Sequence, residues 1–117
     1  MGKLTTHVLD TAHGRAGAGM RVRLSRIEDN VRIEHVAFVT NADGRCDAPL
    51  LEGDALLPGI YELDFAVGDY FADLGVDLPT PRFLDIVTLR VGISDAAAHY
   101  HVPLLCSPWS YSTYRGS

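Results

Sequence analysis

The chain has 117 residues, 47% of them hydrophobic and 21% charged, with a net charge of −5 at pH 7; that is enough apolar material for one ordinary core and excludes a disordered chain. The acidic balance, with Lys3 the only lysine, excludes a nucleic-acid surface, which needs clustered positive charge. Cys46 and Cys106 are too few and too far apart for a zinc knuckle or redox pair and are expected as free thiols.

No apolar run approaches the length of a membrane span, and the opening MGKLTTHVLD lacks the apolar centre of a secretion signal. A cytoplasmic chain forming a single domain over residues 1–117 is therefore expected. Residues 4–11 are β-branched and apolar enough for a strand that stops at a Gly/Ala-rich run. Side chains alternate along a strand, so His7 shares a face with Leu9, while Thr6 and Val8 take the other. The next segment, GRAGAG, has no Lys-Ser/Thr after it and leads into a strand pattern, so it is not a phosphate loop. Residues 20–27 alternate, with Met20, Val22 and Leu24 inward and Arg21, Arg23 and Ser25 outward. A turn at Asp29-Asn30 leads to a strand over 32–40. Asn41-Ala42-Asp43-Gly44 then reads as a type I turn closed by a glycine, the usual chemistry of a hairpin loop. Arg45 comes immediately after it, on what would be a rigid mount.

Gly53-Asp54 turns the chain again, and Pro58-Gly59 opens a strand over 60–67 with Tyr61, Leu63, Phe65 and Val67 facing the core. Residues 69–74 are the one helical candidate, capped by Asp69 and stopped at Gly75. A stiff Pro79-Thr80-Pro81 connection leads into a strand over 83–91, apolar on both faces. Over 98–105, alternation puts His99, His101, Pro103 and Leu105 on one face and Tyr100, Val102 and Leu104 on the other. Pro103 cannot donate to a ladder, which confines it to a sheet edge or strand end. Ser107-Pro108 turns into a last aromatic strand over 109–114, and this terminus, lacking lysine and glutamate, is expected to pack rather than fray. Seven or eight short strands and one helical turn make an all-β sandwich.

Four separated stretches, THVLD (6–10), NADGR (41–45), HYHVPLL (99–105) and the terminal YRGS (114–117), together resemble the 5-hydroxyisourate hydrolases, the enzyme branch of the transthyretin-like family. The resemblance covers essentially the whole chain. The tail is its most specific part, since it separates the hydrolases from hormone-carrying transthyretins. The resemblance implies a transthyretin-like (prealbumin-like) β-sandwich of two four-stranded sheets with one short helix, assembled as a homotetramer with active sites in a channel between dimers. It also implies hydrolysis of 5-hydroxyisourate to 2-oxo-4-hydroxy-4-carboxy-5-ureidoimidazoline in urate breakdown, with no metal or other cofactor. Carried over residue by residue, it makes His7, Arg45 and His101 catalytic, with His99 a neighbour and Tyr114, Arg115, Gly116 and Ser117 lining the substrate site. Trp109-Ser110 and Cys106 depart from the usual pattern outside those positions.

Such residues suit the implied chemistry. Imidazoles titrating near neutrality can take a proton from water and return one to a leaving nitrogen. Paired arginine donors hold a carbonyl as it becomes an oxyanion. In this reading His7 activates water, and His101 positions substrate or relays the proton. Three other readings compete: a small-ligand binder of the transthyretin type without catalysis, a metal held by His99, His101 and His7, and a His7 satisfied locally beside a solvated Arg45.

Overall fold

Alternating apolar residues close two sheets on one another in the computed structural model, which describes residues 1–116. In chain order the elements are β1 (Lys3–Asp10), β2 (Arg15–Ala16), β3 (Arg21–Glu28), β4 (Val31–Val39), β5 (Leu51–Glu52), a 3₁₀ turn (Gly53–Ala55), β6 (Gly59–Ala66), α1 (Val67–Asp73), β7 (Ile86–Ile93), β8 (His99–Cys106) and β9 (Tyr111–Thr113). One sheet runs β2-β1-β8-β9 and the other β4-β3-β6-β7. The first has five strands rather than four because the two-residue β5 also pairs with β1, at its N-terminal end. The expected all-β sandwich with one short helix is the fold observed.

The core lies between the sheets. Leu4, Val8, Tyr100, Val102 and Leu104 come from β1 and β8, and Val22, Leu24, Tyr61, Leu63, Phe65, Val87 and Leu89 come from the facing sheet. Helix α1 adds Tyr70 and Phe71 over one end. Burying each such side chain contributes about 1.5–3 kcal/mol before chain entropy is charged against it.

Several local expectations are corrected. Ser25, expected outward, is buried: its register with β6 is unbroken and the shift against β4 puts the extra residue, His35, on β4. Ser25 thus keeps its parity with Arg23, and its side chain is buried because it is short and stands between its longer ladder partners Glu34 and Glu62. Asn41–Gly44 does form a turn, but not a hairpin: the chain leaves β4 and crosses to the other sheet, where Arg45 bridges to His7. Asp69 is not the helix cap. It sits in the first turn, behind the N-cap Ala66, and its carboxylate accepts from Arg82 at 2.6 Å and from Arg21 at 2.5 Å. Nor does Pro103 mark an edge, since β8 lies between β1 and β9. The strand expected over 83–91 begins at Ile86, and Phe83 instead stacks on Trp109, with ring centroids 5.8 Å apart.

One buried polar group ties the helix to the first sheet. Asp10 is 1% exposed at the end of β1. Its Oδ2 accepts from the Tyr70 hydroxyl and from His13 Nδ1, each at 2.7 Å, and Oδ1 accepts from the His13 backbone N–H at 3.0 Å. Burial pushes the Asp10 carboxyl up, yet the hydrogen bonds from Tyr70 and His13 outweigh it and hold the carboxyl below its ordinary value. Burial and the same carboxylate push the Tyr70 hydroxyl up to about 12.

Because the folded pKa of Asp10 is depressed, the pair stabilises the fold above the unfolded carboxylate value and loses that contribution as pH falls through the folded one. Tyr70→Phe is therefore expected to cost about 1–3 kcal/mol at neutral pH, and less near about pH 3, below the ordinary carboxylate value. Urea denaturation at the two pH values reads this directly; an equal loss at both would mean that the Asp10 charge is not what Tyr70 stabilises.

Candidate active site

The parallel register of β1 on β8 brings the histidines together. Lys3 stands opposite His99, Thr5 opposite His101 and His7 opposite Pro103, and paired residues share a face. With the aliphatic residues of both strands turned into the core, Thr5, His7, His99 and His101 are left half-buried on the outer face. The His99 and His101 rings lie 6.2 Å apart. Between them the Thr5 hydroxyl Oγ1 sits 2.8 Å from His99 Nε2 and 2.8 Å from His101 Nδ1.

Arg45 is delivered by the turn before it. The Asn41 side-chain oxygen accepts from the backbone N–H groups of Asp43 at 2.9 Å and Arg45 at 3.0 Å, and the Gly44 N–H closes on the Asn41 carbonyl at 2.9 Å. Gly44 takes φ +76° and lies so close to β1 that a Cβ would meet the Val8 carbonyl at 2.4 Å. The Val8 N–H donates to the Gly44 carbonyl at 2.7 Å. Glycine is thus required here twice, by backbone conformation and by space. The docked turn leaves Arg45 bridged to His7 across the sheet edge. Arg21, Arg23, Arg26, Arg32, Arg82 and Arg90 all meet carboxylates, whereas Arg45 makes no ion pair among the described residues.

The tail closes the other side. Strand β9 pairs antiparallel with β8, and the chain returns to the same register at a bridge between His101 and Gly116. The ladder is interrupted between these pairings, next to Pro103, which has no N–H to offer; the Pro103 carbonyl accepts the Thr113 hydroxyl at 2.7 Å instead. The Gly116 N–H donates to the His101 carbonyl at 2.8 Å. Arg115 stacks over the Tyr100 ring at 4.4 Å and reaches the His99 carbonyl at 3.4 Å, so it fastens the tail. Tyr114 is exposed. Ser117 lies outside the described residues.

Both key imidazoles are biased toward the neutral form. Burial, then the Arg45 charge, lowers the pKa of His7, against a smaller opposing effect from Asp43. Burial, Arg45, His99 and His7 lower that of His101. Among the described residues, no group of three or more His, Cys, Asp or Glu side chains is placed to hold a metal ion. His7, Arg45, His101 and Gly116, singled out in the sequence, are brought together. Thr5 was not singled out. Its signal was its parity with His7 along one strand, which carries no weight until the partner strand is known.

Gly116 also sets a measurable tolerance. A Cβ there would lie 2.8 Å from His101 Cδ2 and 3.0 Å from its Cβ. Gly116→Ala is expected to displace the His101 ring resonances in an imidazole NMR spectrum while changing global stability by less than about 0.5 kcal/mol. Unchanged ring resonances would contradict the packing of the tail on His101.

The sequence model of the HIUase/Transthyretin family matches residues 4–116. A 5-hydroxyisourate hydrolase of Ralstonia nicotianae is 66% identical over the whole of both chains. Among solved structures, a Klebsiella pneumoniae 5-hydroxyisourate hydrolase superposes with a TM-score of 0.82 at 34% identity over 100% of each chain. An (S)-allantoin synthase superposes with a TM-score of 0.94 at 47% identity, covering 99% of this chain but 44% of its own. Fold, site geometry and similarity over the full length agree: this chain belongs to the HIUase/Transthyretin family.

Proposed function

We propose that the chain hydrolyses 5-hydroxyisourate to 2-oxo-4-hydroxy-4-carboxy-5-ureidoimidazoline, a step of urate breakdown. The observation that carries this reading is the meeting of two neutral-biased imidazoles, His7 and His101, with a guanidinium free of ion pairs among the described residues, Arg45, on one outer face. The activity named for the Ralstonia relative supports it.

In this proposal His7 takes a proton from water as its oxygen bonds to a ring carbonyl carbon. Arg45 holds the oxygen of that carbonyl while it carries negative charge, the place where preorganised donors contribute most. The carbon–nitrogen bond then breaks, and His101 returns a proton to the departing ring nitrogen. A carboxylate and an opened ring remain, so the step needs water alone. Tyr114, Arg115, Gly116 and Ser117 are proposed to border the substrate, as the family resemblance implies.

We further propose a homotetramer in which dimers join through edge strands and the active sites lie in a channel between dimers, as the family resemblance implies. The cytoplasm is the proposed setting, consistent with the free thiols of Cys46 and Cys106.

Ultraviolet absorbance of 5-hydroxyisourate, generated in situ from urate and urate oxidase, tests the proposal. Wild type is expected to hasten its decay, and His7→Ala to lower kcat/KM by about 10²–10⁴-fold, the usual range for a lost general acid–base. Since the neutral imidazole is the working form and its pKa is depressed, the acid limb of kcat/KM falls below about pH 6.5, the ordinary imidazole value. Arg45→Ala removes a nearby positive charge, so it is expected to slow the reaction and move the limb upward. Decay at the spontaneous rate with folded wild type would overturn the reading.

A further inference from the structure

We propose that Thr5 is a positioning residue that fixes the ring protons of His101 and couples them to His99. The inference rests on the hydrolase reading and goes beyond the residues that the family resemblance assigns.

A hydroxyl has one hydrogen and two lone pairs. Thr5 Oγ1 lies at hydrogen-bond distance from His99 Nε2 and from His101 Nδ1, 2.8 Å in each case. With one hydrogen it can donate to only one of these nitrogens, so the other must donate to it. Two proton arrangements of a neutral pair satisfy both contacts. In the first, His101 carries its hydrogen on Nδ1 and donates to Thr5, which donates to His99 Nε2. In the second, His99 Nε2–H donates to Thr5, which donates to His101 Nδ1, and His101 carries its hydrogen on Nε2. With Nδ1 engaged by Thr5, Nε2 is the His101 nitrogen left for water or substrate. The first arrangement therefore makes His101 an acceptor toward the site, and the second makes it a donor.

The bridge also connects the two states. When His101 Nε2 takes a proton in the first arrangement, the Nδ1 proton passes to Thr5 Oγ1 and the original hydroxyl hydrogen passes to His99 Nε2. His101 is then neutral with Nε2–H in place, ready to protonate a leaving nitrogen. The positive charge rests on half-exposed His99, which returns a proton to solvent from Nδ1. One proton has entered and one has left, and no bond other than O–H or N–H has changed.

Several features make the bridge rigid. Thr5 is β-branched and stiff at χ1, and it stands directly opposite His101 in the β1–β8 ladder. The Gly116 backbone closes against the His101 ring from the other side. The charged and titratable groups bordering the pair are Lys3 and His7 on β1, Asp43 and Arg45 on the turn, and Arg115, whose guanidinium meets the His99 carbonyl. All but Asp43 are cationic or can become so. They make a second positive charge within the pair unfavourable and favour a single shared proton.

The test compares Thr5→Val, which keeps shape and removes the hydroxyl, with Thr5→Ser, which keeps the hydroxyl. Imidazole nitrogen shifts of histidine-labelled protein are read beside 5-hydroxyisourate kinetics across pH. In Thr5→Val the His99 and His101 ring-nitrogen shifts are expected to move toward those of unbridged tautomers. Its kcat should fall on the order of tenfold to a hundredfold, below the loss typical of a direct acid–base group, with KM changed less than about twofold. Thr5→Ser should restore both readouts. Wild-type kcat and pH profile in a folded Thr5→Val protein would overturn the proposal, as would equal impairment of the two variants or unmoved ring-nitrogen shifts. Shifts that move as expected in a protein without hydrolase activity would support the bridge while overturning the hydrolase reading.

Discussion

The in-register parallel ladder between β1 and β8 is the constraint on which the site depends. Its partners are more than ninety residues apart in sequence, as the Thr5–His99 and Thr5–His101 contacts show with separations of 94 and 96. Side-chain facing has a period of two, so a slip of one residue in either strand would turn its histidines into the core and its aliphatic residues to solvent. Leu4, Val8, Val102 and Leu104 bar that slip by being buried, at 5% exposure or less. Hydrophobic burial on one face thus dictates imidazole geometry on the other. No side chain of the site has to supply much stability of its own.

Two further segments complete the face by meeting the same pair of strands through backbone hydrogen bonds. The Asn41–Gly44 turn docks on β1 at Val8, and the tail docks on β8 at His101. Each does so through a glycine whose missing Cβ admits the contact, Gly44 against a carbonyl and Gly116 against an imidazole. Arg45, like Arg15 and Arg115, makes no ion pair among the described residues, unlike the arginines of the facing sheet. Those of the facing sheet are neutralised pairwise by Glu34, Glu62, Asp64 and Asp69, and exposed pairs of that kind contribute little to stability. A cation left beside two imidazoles instead adds to burial in lowering their pKa values.

Much of this was legible in the sequence, because period-two alternation is a local property. It assigned the faces of residues 4–10 and 99–105, and so separated the histidines from the core before any pairing was known. Asn-Ala-Asp-Gly also announced its turn. What local pattern could not supply was the partner of each strand. Pro103 is expected at a sheet edge or strand end because it lacks an N–H, yet it sits within an interior strand where the ladder to β9 is interrupted beside it and a threonine hydroxyl satisfies its carbonyl. Ser25 keeps its outward parity but is buried between longer ladder partners on both sides, and Asp69 is drawn from capping by two arginines distant in sequence that compete for its carboxylate. Thr5 reads in isolation as an ordinary strand former; only the register of β8 gives its hydroxyl two imidazole partners.

We propose that the outer face of β1 and β8, completed by Arg45 and Gly116, receives the substrate. A crystal structure of the protein with a stable, planar urate-like analogue tests it most directly. The analogue is expected over this face, with an oxygen paired to the Arg45 guanidinium and ring atoms within hydrogen-bond reach of His7 and His101 Nε2. An analogue bound elsewhere, such as on the outer face of the β4-β3-β6-β7 sheet, with the histidine face left to solvent, would contradict it.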